Sequence, residues 1–165
     1  TLSDFLAYAR PSRFEPEQID LRQVLEETAT LLAHGPEVLP EHSILLDIPE
    51  HSVILFADPN QMKQITWNLS RNALQAMPSG GQLVMSLRYD DLGAIVMEFR
   101  DEGIGMTEGE RKKVFAPFAG DFPAGSGLGL AIVYRIVEDY NGVIQVDGQT
   151  PKGTVVSIHF PAERR

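Results

Sequence analysis

Two clusters of glycine constrain this chain more than any other feature: Gly103 with Gly105, and Gly125 with Gly127 and Gly129. They frame the stretch DEGIGMTEGERKKVFAPFAGDFPAGSGLGLAI, residues 101–132. Glycine weakens the interior of helices and strands, so such clusters mark places where backbone must come close to something else. The second cluster runs directly into the apolar, helix-like LGLAIVYRIVEDY. The first N–H groups of a helix have no partner within it, and the helix dipole favours negative charge there. This stretch therefore offers a cradle for phosphate, and the other segments read as what surrounds it.

Residues 1–10, TLSDFLAYAR, place Leu2, Phe5, Leu6 and Ala9 at helical spacing, and Pro11 ends the run. This is either a frayed terminal helix or the tail of a longer one. An extended piece, FEPEQIDL, follows. Asp20 is placed to cap a helix whose face carries Leu21, Val24, Leu25, Thr28, Leu31 and Leu32, stopped by His34-Gly35-Pro36. Ile44–Ile48 and Val53–Ala57 read as short strands. The strongest helix covers 59–77. Asp58 is its N-cap, Pro59 suits the first turn, and Gln61 stands where a capping box needs it. Met62, Ile65, Leu69, Ala73 and Ala76/Met77 make its core stripe; Gln61, Gln64, Asn68, Asn72 and Gln75 make a polar one.

Leu83, Met85, Leu87 and Tyr89 alternate with mostly polar residues, and Asp90-Asp91-Leu92-Gly93 turns into a second alternating run at Ile95, Met97 and Phe99. This predicts a hairpin with Asp101 at the end of its second strand. A helix over 128–140 and strands over Val143–Val146 and Thr154–Phe160 complete the chain. The order of helices and strands implies an α+β fold, with helices on one face of a mixed sheet. The glycines do not follow the first strand of a βαβ unit, which argues against a Rossmann fold.

The net charge of −9 and a pI near 4.8 argue against a nucleic-acid or anionic-membrane partner. With no cysteine there is no disulfide and no thiolate metal site. No apolar run approaches the roughly 18 residues that span a bilayer. The chain opens on Thr1 without a signal-peptide pattern, as expected of an excised piece of a longer protein.

In this order the motifs resemble the catalytic, ATP-binding domain of bacterial sensor histidine kinases. That superfamily also holds gyrase, the ninety-kilodalton heat-shock chaperone and MutL-type ATPases. DPNQMKQITWNLSRNALQAM (58–77) resembles the N box, and Asp101 to Gly105 the first glycine box. Phe115-Ala-Pro-Phe118 resembles the F box, and Gly125-Ser126-Gly127-Leu128-Gly129 the second glycine box. The fold implied is a two-layer α/β sandwich of the Bergerat type, with about five strands covered by about three helices. Residues 1–12 resemble the end of a dimerisation helix; 13–165 would be the catalytic domain.

The resemblance further implies ATP and Mg²⁺ as cofactors. Asn72 would hold Mg²⁺ across the phosphates, with Asn68 one turn earlier, since a neutral amide oxygen suits a hard cation. Asp101 would accept from the adenine amino group, which distinguishes adenine from guanine because only adenine donates at that position. Gly103 and Gly105 would let backbone approach the base. Gly125, Ser126, Gly127, Leu128 and Gly129 would cradle phosphates, with Phe115 and Phe118 beside a mobile lid over 116–126. Hydrolysing relatives carry glutamate four residues before the metal-binding Asn; here that position is Asn68, a poor general base. Transfer to another nucleophile is therefore expected.

None of His34, His42, His51 or His159 stands in a phosphoacceptor sequence, so that histidine belongs to an upstream dimerisation domain. The expected partners are that domain and a response regulator. The parent is expected to be a homodimer, cytoplasmic in this part and compatible with an inner-membrane anchor. One departure stands out: Phe118-Ala-Gly-Asp121 replaces the family's Phe-Thr-Thr-Lys-like run, removing a cation from the γ-phosphate side. Lys112 or Lys113 could substitute. The departure keeps open a regulatory, pseudokinase-like module with a degenerate lid. An anti-sigma-type protein-serine kinase shares the fold, but the Ala-Arg-Pro leader and N-box form argue against it.

Overall fold

The computed structural model describes residues 14–113, 129–148 and 152–162. Along the chain these form β1 (Glu17–Asp20), α1 (Leu21–Ala33), β2 (His42–Asp47), β3 (Ile54–Ala57) and α2 (Pro59–Gln75). Then come β4 (Gly81–Tyr89), β5 (Ile95–Asp101), α3 (Glu108–Lys113), α4 (Gly129–Asp139), β6 (Val143–Gly148) and β7 (Thr154–Phe160). Residues 1–12, expected to end a dimerisation helix, lie outside the described residues.

Five strands make one mixed sheet in the order β2-β4-β5-β7-β6. Only β2 and β4 run parallel within it. The register places Leu83, Met85, Leu87, Met97, Phe99 and Ile158 on one face, where all are buried. Against them pack Leu21 and Leu25 of α1, Met62, Ile65 and Leu69 of α2, and Ile132 and Val133 of α4. The result is the α+β sandwich expected from the pattern, with three helices closing one core and the short α3 burying nothing. Among the described residues no helix is long and apolar enough to cross a membrane.

The strands expected at Ile44–Ile48 and Val53–Ala57 form at His42–Asp47 and Ile54–Ala57, and they do not pair with each other. The first turns Ile44 and Leu46 beside Leu83 and Met85 as an edge of the main sheet. The second pairs with β1 as a separate antiparallel ribbon. Asp20 holds that ribbon as well as capping α1: its Oδ1 accepts the N–H of Arg22 at 3.1 Å and that of Val53 at 3.1 Å.

At the start of α2, Asp58 Oδ1 accepts the N–H of Asn60 at 2.8 Å, and Oδ2 that of Glu15 at 3.0 Å. The capping box expected from Gln61 does not close directly. The Tyr140 hydroxyl, at the far end of α4, accepts the Asp58 N–H at 2.9 Å and donates to Gln61 Oε1. Burial pushes the Tyr140 hydroxyl's pKa up, so it keeps the proton it donates. The relay pins the N-terminus of α2 to the C-terminus of α4. Tyr140→Phe should destabilise the protein by about 2 kcal/mol, because two partly buried polar groups lose their partner. That is a midpoint lower by roughly 4–8 °C in a thermal melt. A wild-type midpoint would show that the relay contributes nothing.

Candidate functional site

The helix expected over 59–77 ends two residues early. Ala76 closes its last turn, donating to Asn72 O at 3.0 Å, and Met77 is buried. That ending matters because the ends of β4 and β5 are joined to it. Met77 Sδ receives the N–H of Glu102 at 3.4 Å. Ala76 O receives the N–H of Ile104 at 3.1 Å. The loop after β5 thereby lies across the end of the helix that carries Asn68 and Asn72.

Asp101, the last residue of β5, is only 5% exposed. Its Oδ1 accepts the N–H of Gly103 at 2.9 Å and of Thr154 at 3.2 Å, so the carboxylate joins its own loop to β7. Burial raises its pKa above the usual 3.8, and the two N–H donors oppose that rise without cancelling it. A Cβ added at Gly103 would run into the backbone of Ala76, and one at Gly153 into Asp101 O. Gly105 and Gly153 also have positive φ, +74° and +116°. The glycines of this wall are needed for backbone approach, as their spacing suggests.

The other wall is α2 facing the start of α4. Asn68 is 4% exposed, and Asn72 lies one turn later on the same side. Gly129, the first residue of α4, sits over both. A Cβ there would lie 3.7 Å from Asn68 Oδ1 and 3.9 Å from Asn72 Nδ2. Any side chain at 129 would fill the space above the two amides. Among the described residues four buried side-chain polar atoms lack a hydrogen-bond partner, and three belong to this helix: Asn68 Nδ2, Arg71 Nε and Gln75 Oε1. Buried polar atoms are normally satisfied, so these three within two turns have bonding capacity left over for water or a polar ligand.

Of the residues singled out in the sequence, the structure brings Asn68, Asn72 and Gly129 together, and Asp101, Gly103 and Gly105 around the end of α2. Phe115, Phe118, Gly125, Ser126, Gly127 and Leu128 lie outside the described residues, as does the expected lid over 116–126. Lys112 is engaged by Glu108 at 3.7 Å on an exposed helix. Two histidines have structural tasks: His42 accepts the Leu39 N–H at Nδ1 and donates from Nε2 to Met77 O at 2.7 Å. His34 Nδ1 donates to Thr30 O at 2.8 Å. Sequence reasoning passed over Gly153 and Thr154, which close on Asp101 from 53 residues away in the case of Thr154. The Gly-Thr pair opening the last strand was the available signal.

The comparisons specify the class of this α+β sandwich with its helix–helix amide face and buried strand-end carboxylate. Residues 57–164 match the family described as histidine kinase-, DNA gyrase B- and HSP90-like ATPase, and the chain belongs to that family. It is 33% identical over 166 residues to sporulation kinase E of Bacillus subtilis (strain 168), covering 99% of this chain. The chain spans 22% of that relative's length. Its fold is similar to the mycobacterial sensor histidine kinase MprB, with TM-score 0.75, 26% identity, and 92% of this chain and 100% of that one covered. It is also similar to full-length ShkA in complex with AMPPNP, with TM-score 0.82 and 25% identity, covering 97% of this chain and 35% of that one.

Proposed function

We propose that this chain is the ATP-binding catalytic domain of a sensor histidine kinase. It would present the γ-phosphoryl group of ATP to a histidine in an upstream dimerisation domain, for relay to a response regulator. The observation that carries this reading is Gly129 held open above Asn68 and Asn72, with a buried amide hydrogen-bonding atom left unsatisfied below it. The adenine end falls to Asp101, whose carboxylate favours adenine's amino donor over the carbonyl that guanine presents at the same ring position. Gly103 and Gly105 bring backbone against that base. Phosphates would meet the start of α4 at Gly129; the roles expected of Phe115, Phe118 and Gly125 to Leu128 fall outside the described residues.

Mg²⁺, when bound, neutralises part of the phosphate charge, and the donor set suits it. Amide oxygens are hard and uncharged, and the metal takes its other ligands from phosphate and water. With Asn68 where hydrolysing relatives carry a general base, nothing on this face readily activates water, which favours transfer over hydrolysis. The acceptor would lie outside this chain: none of His34, His42, His51 or His159 stands in a phosphoacceptor sequence, and His34 and His42 are besides committed to backbone groups.

Calorimetric titration with ATP and ADP, with and without Mg²⁺, tests the assignment. Asn72→Ala should lose about tenfold in affinity with Mg²⁺ present, about 1.4 kcal/mol, and almost nothing in its absence. Equal losses under both conditions would remove Asn72 from the metal. Acid-labile phosphate appearing on this chain alone after incubation with ATP would overturn the external acceptor.

A further inference from the structure

We infer that His42, the first residue of β2, is a positioning residue for the loop after β5, acting on it through Met77. The inference deepens the proposed function and rests on its assignment of Asp101 and that loop to the base. The Leu39 N–H can only donate, and it reaches His42 Nδ1 at 2.9 Å. The Met77 carbonyl can only accept, and it lies 2.7 Å from Nε2. The ring therefore carries its proton on Nε2 and is engaged on both sides.

Met77 is where the end of α2 meets the loop. It is buried just beyond the helix, with its N–H on Leu74 O at 3.0 Å. Its carbonyl is shared between His42 and the Gly80 N–H at 3.1 Å. Its sulfur takes the N–H of Glu102, the residue after Asp101, at 3.4 Å. A thioether is a weak acceptor, so this bond holds the loop only as firmly as the sulfur itself is held. Room for the sulfur comes from Gly81, the register partner of His42: a Cβ there would stand 2.6 Å from it. The Ala76 carbonyl that accepts the Ile104 N–H belongs to the peptide joining Ala76 to Met77. One displacement of Met77 therefore disturbs the bonds on both sides of Gly103. Glu102 is tied to β4 as well, where its Oε2 accepts the Gln82 N–H at 3.0 Å, but that tie sits at the tip of a flexible side chain. The imidazole holds the Met77 peptide from outside the helix, and with it the backbone that carries Asp101.

His42→Asn and His42→Gln separate the two halves of the ring. Asparagine keeps an acceptor near Nδ1 for Leu39 but falls short of Met77; glutamine carries a donor out to the Nε2 position. In His42→Asn, amide hydrogen exchange at Glu102 and Ile104 should quicken at least tenfold, with Leu25 and Met97 in the core unchanged. ATP, read by calorimetry, and adenosine, read by NMR titration, should both weaken about fivefold, with or without Mg²⁺, because the base end alone is disturbed. His42→Gln should recover most of both effects. Wild-type exchange at Glu102 and Ile104 in His42→Asn would overturn the inference. So would equal quickening at Leu25 and Met97, which marks a general loss of stability, or a quickened loop with ATP and adenosine bound as in wild type. A wild type that binds neither ligand would overturn the assignment of the loop to the base, and this inference with it.

Discussion

Asp101→Asn is expected to weaken ATP binding by roughly 100-fold, about 2.7 kcal/mol, while leaving the protein at least as stable as wild type at neutral pH. The two effects have one origin. Oδ1 is held by the Gly103 and Thr154 N–H groups. An asparagine keeping both bonds must put its oxygen there and its NH₂ where the second carboxylate oxygen was. A donor then faces the adenine amino donor. The stability gain follows from burial, which raises the folded-state pKa of Asp101 above 3.8. The folded protein binds that proton more tightly than the unfolded chain, so ionisation costs stability as pH rises through the folded pKa. The neutral amide avoids this cost at pH 7. Below 3.8, where both states are protonated, the advantage should vanish. Thermal melts across pH, beside ATP titrations, read both halves. A variant that binds ATP normally would remove Asp101 from the base.

Gly103→Ala should be the most damaging single methyl group in the site, costing about 3 kcal/mol or more. The added Cβ meets the carbonyl of Ala76, which already accepts the Ile104 N–H. Backbone at the end of α2 cannot step aside as a flexible side chain would. Either the loop lifts off the helix, losing that bond, or the helix end distorts. The expected midpoint shift is roughly 6–12 °C downward, accompanied by weakened nucleotide binding because Asp101 and the loop move together. Gly109→Ala, with open space around it, is the control and should change little.

What could be read from the sequence was local. Asp20 and Asp58 cap the helices they precede because an N-cap is decided within three residues. The β4–β5 hairpin and the glycine clusters were legible for the same reason. What could not be read depends on distant residues. Nothing near Ile54 announces that its strand pairs with Glu17–Asp20 rather than with its neighbour His42–Asp47. Gln61 looked like half of a capping box, and the missing half is a tyrosine 79 residues later. Asp101 was identified as a site residue, but its second backbone donor comes from Thr154, reached only once β5 and β7 are paired.

The tyrosine relay has a geometric consequence for the far end of the same two helices. α2 and α4 lie side by side in opposite directions, fastened at one end where Gln61 meets Tyr140, while the amides and Gly129 stand at the other, where the loop after β5 crosses the end of α2. From Gln61 to Asn72, and from Tyr140 back to Gly129, each arm measures about 16 Å at the helical rise. A pair of shears with such arms, turned by about 6° at the pivot, opens its blades by about 1.7 Å. A small rotation there would therefore move Gly129 relative to the two amides by an appreciable fraction of a hydrogen-bond length. Glu15 donates its N–H to the same Asp58, so the entry to β1 is tied to the fastened end of the pair.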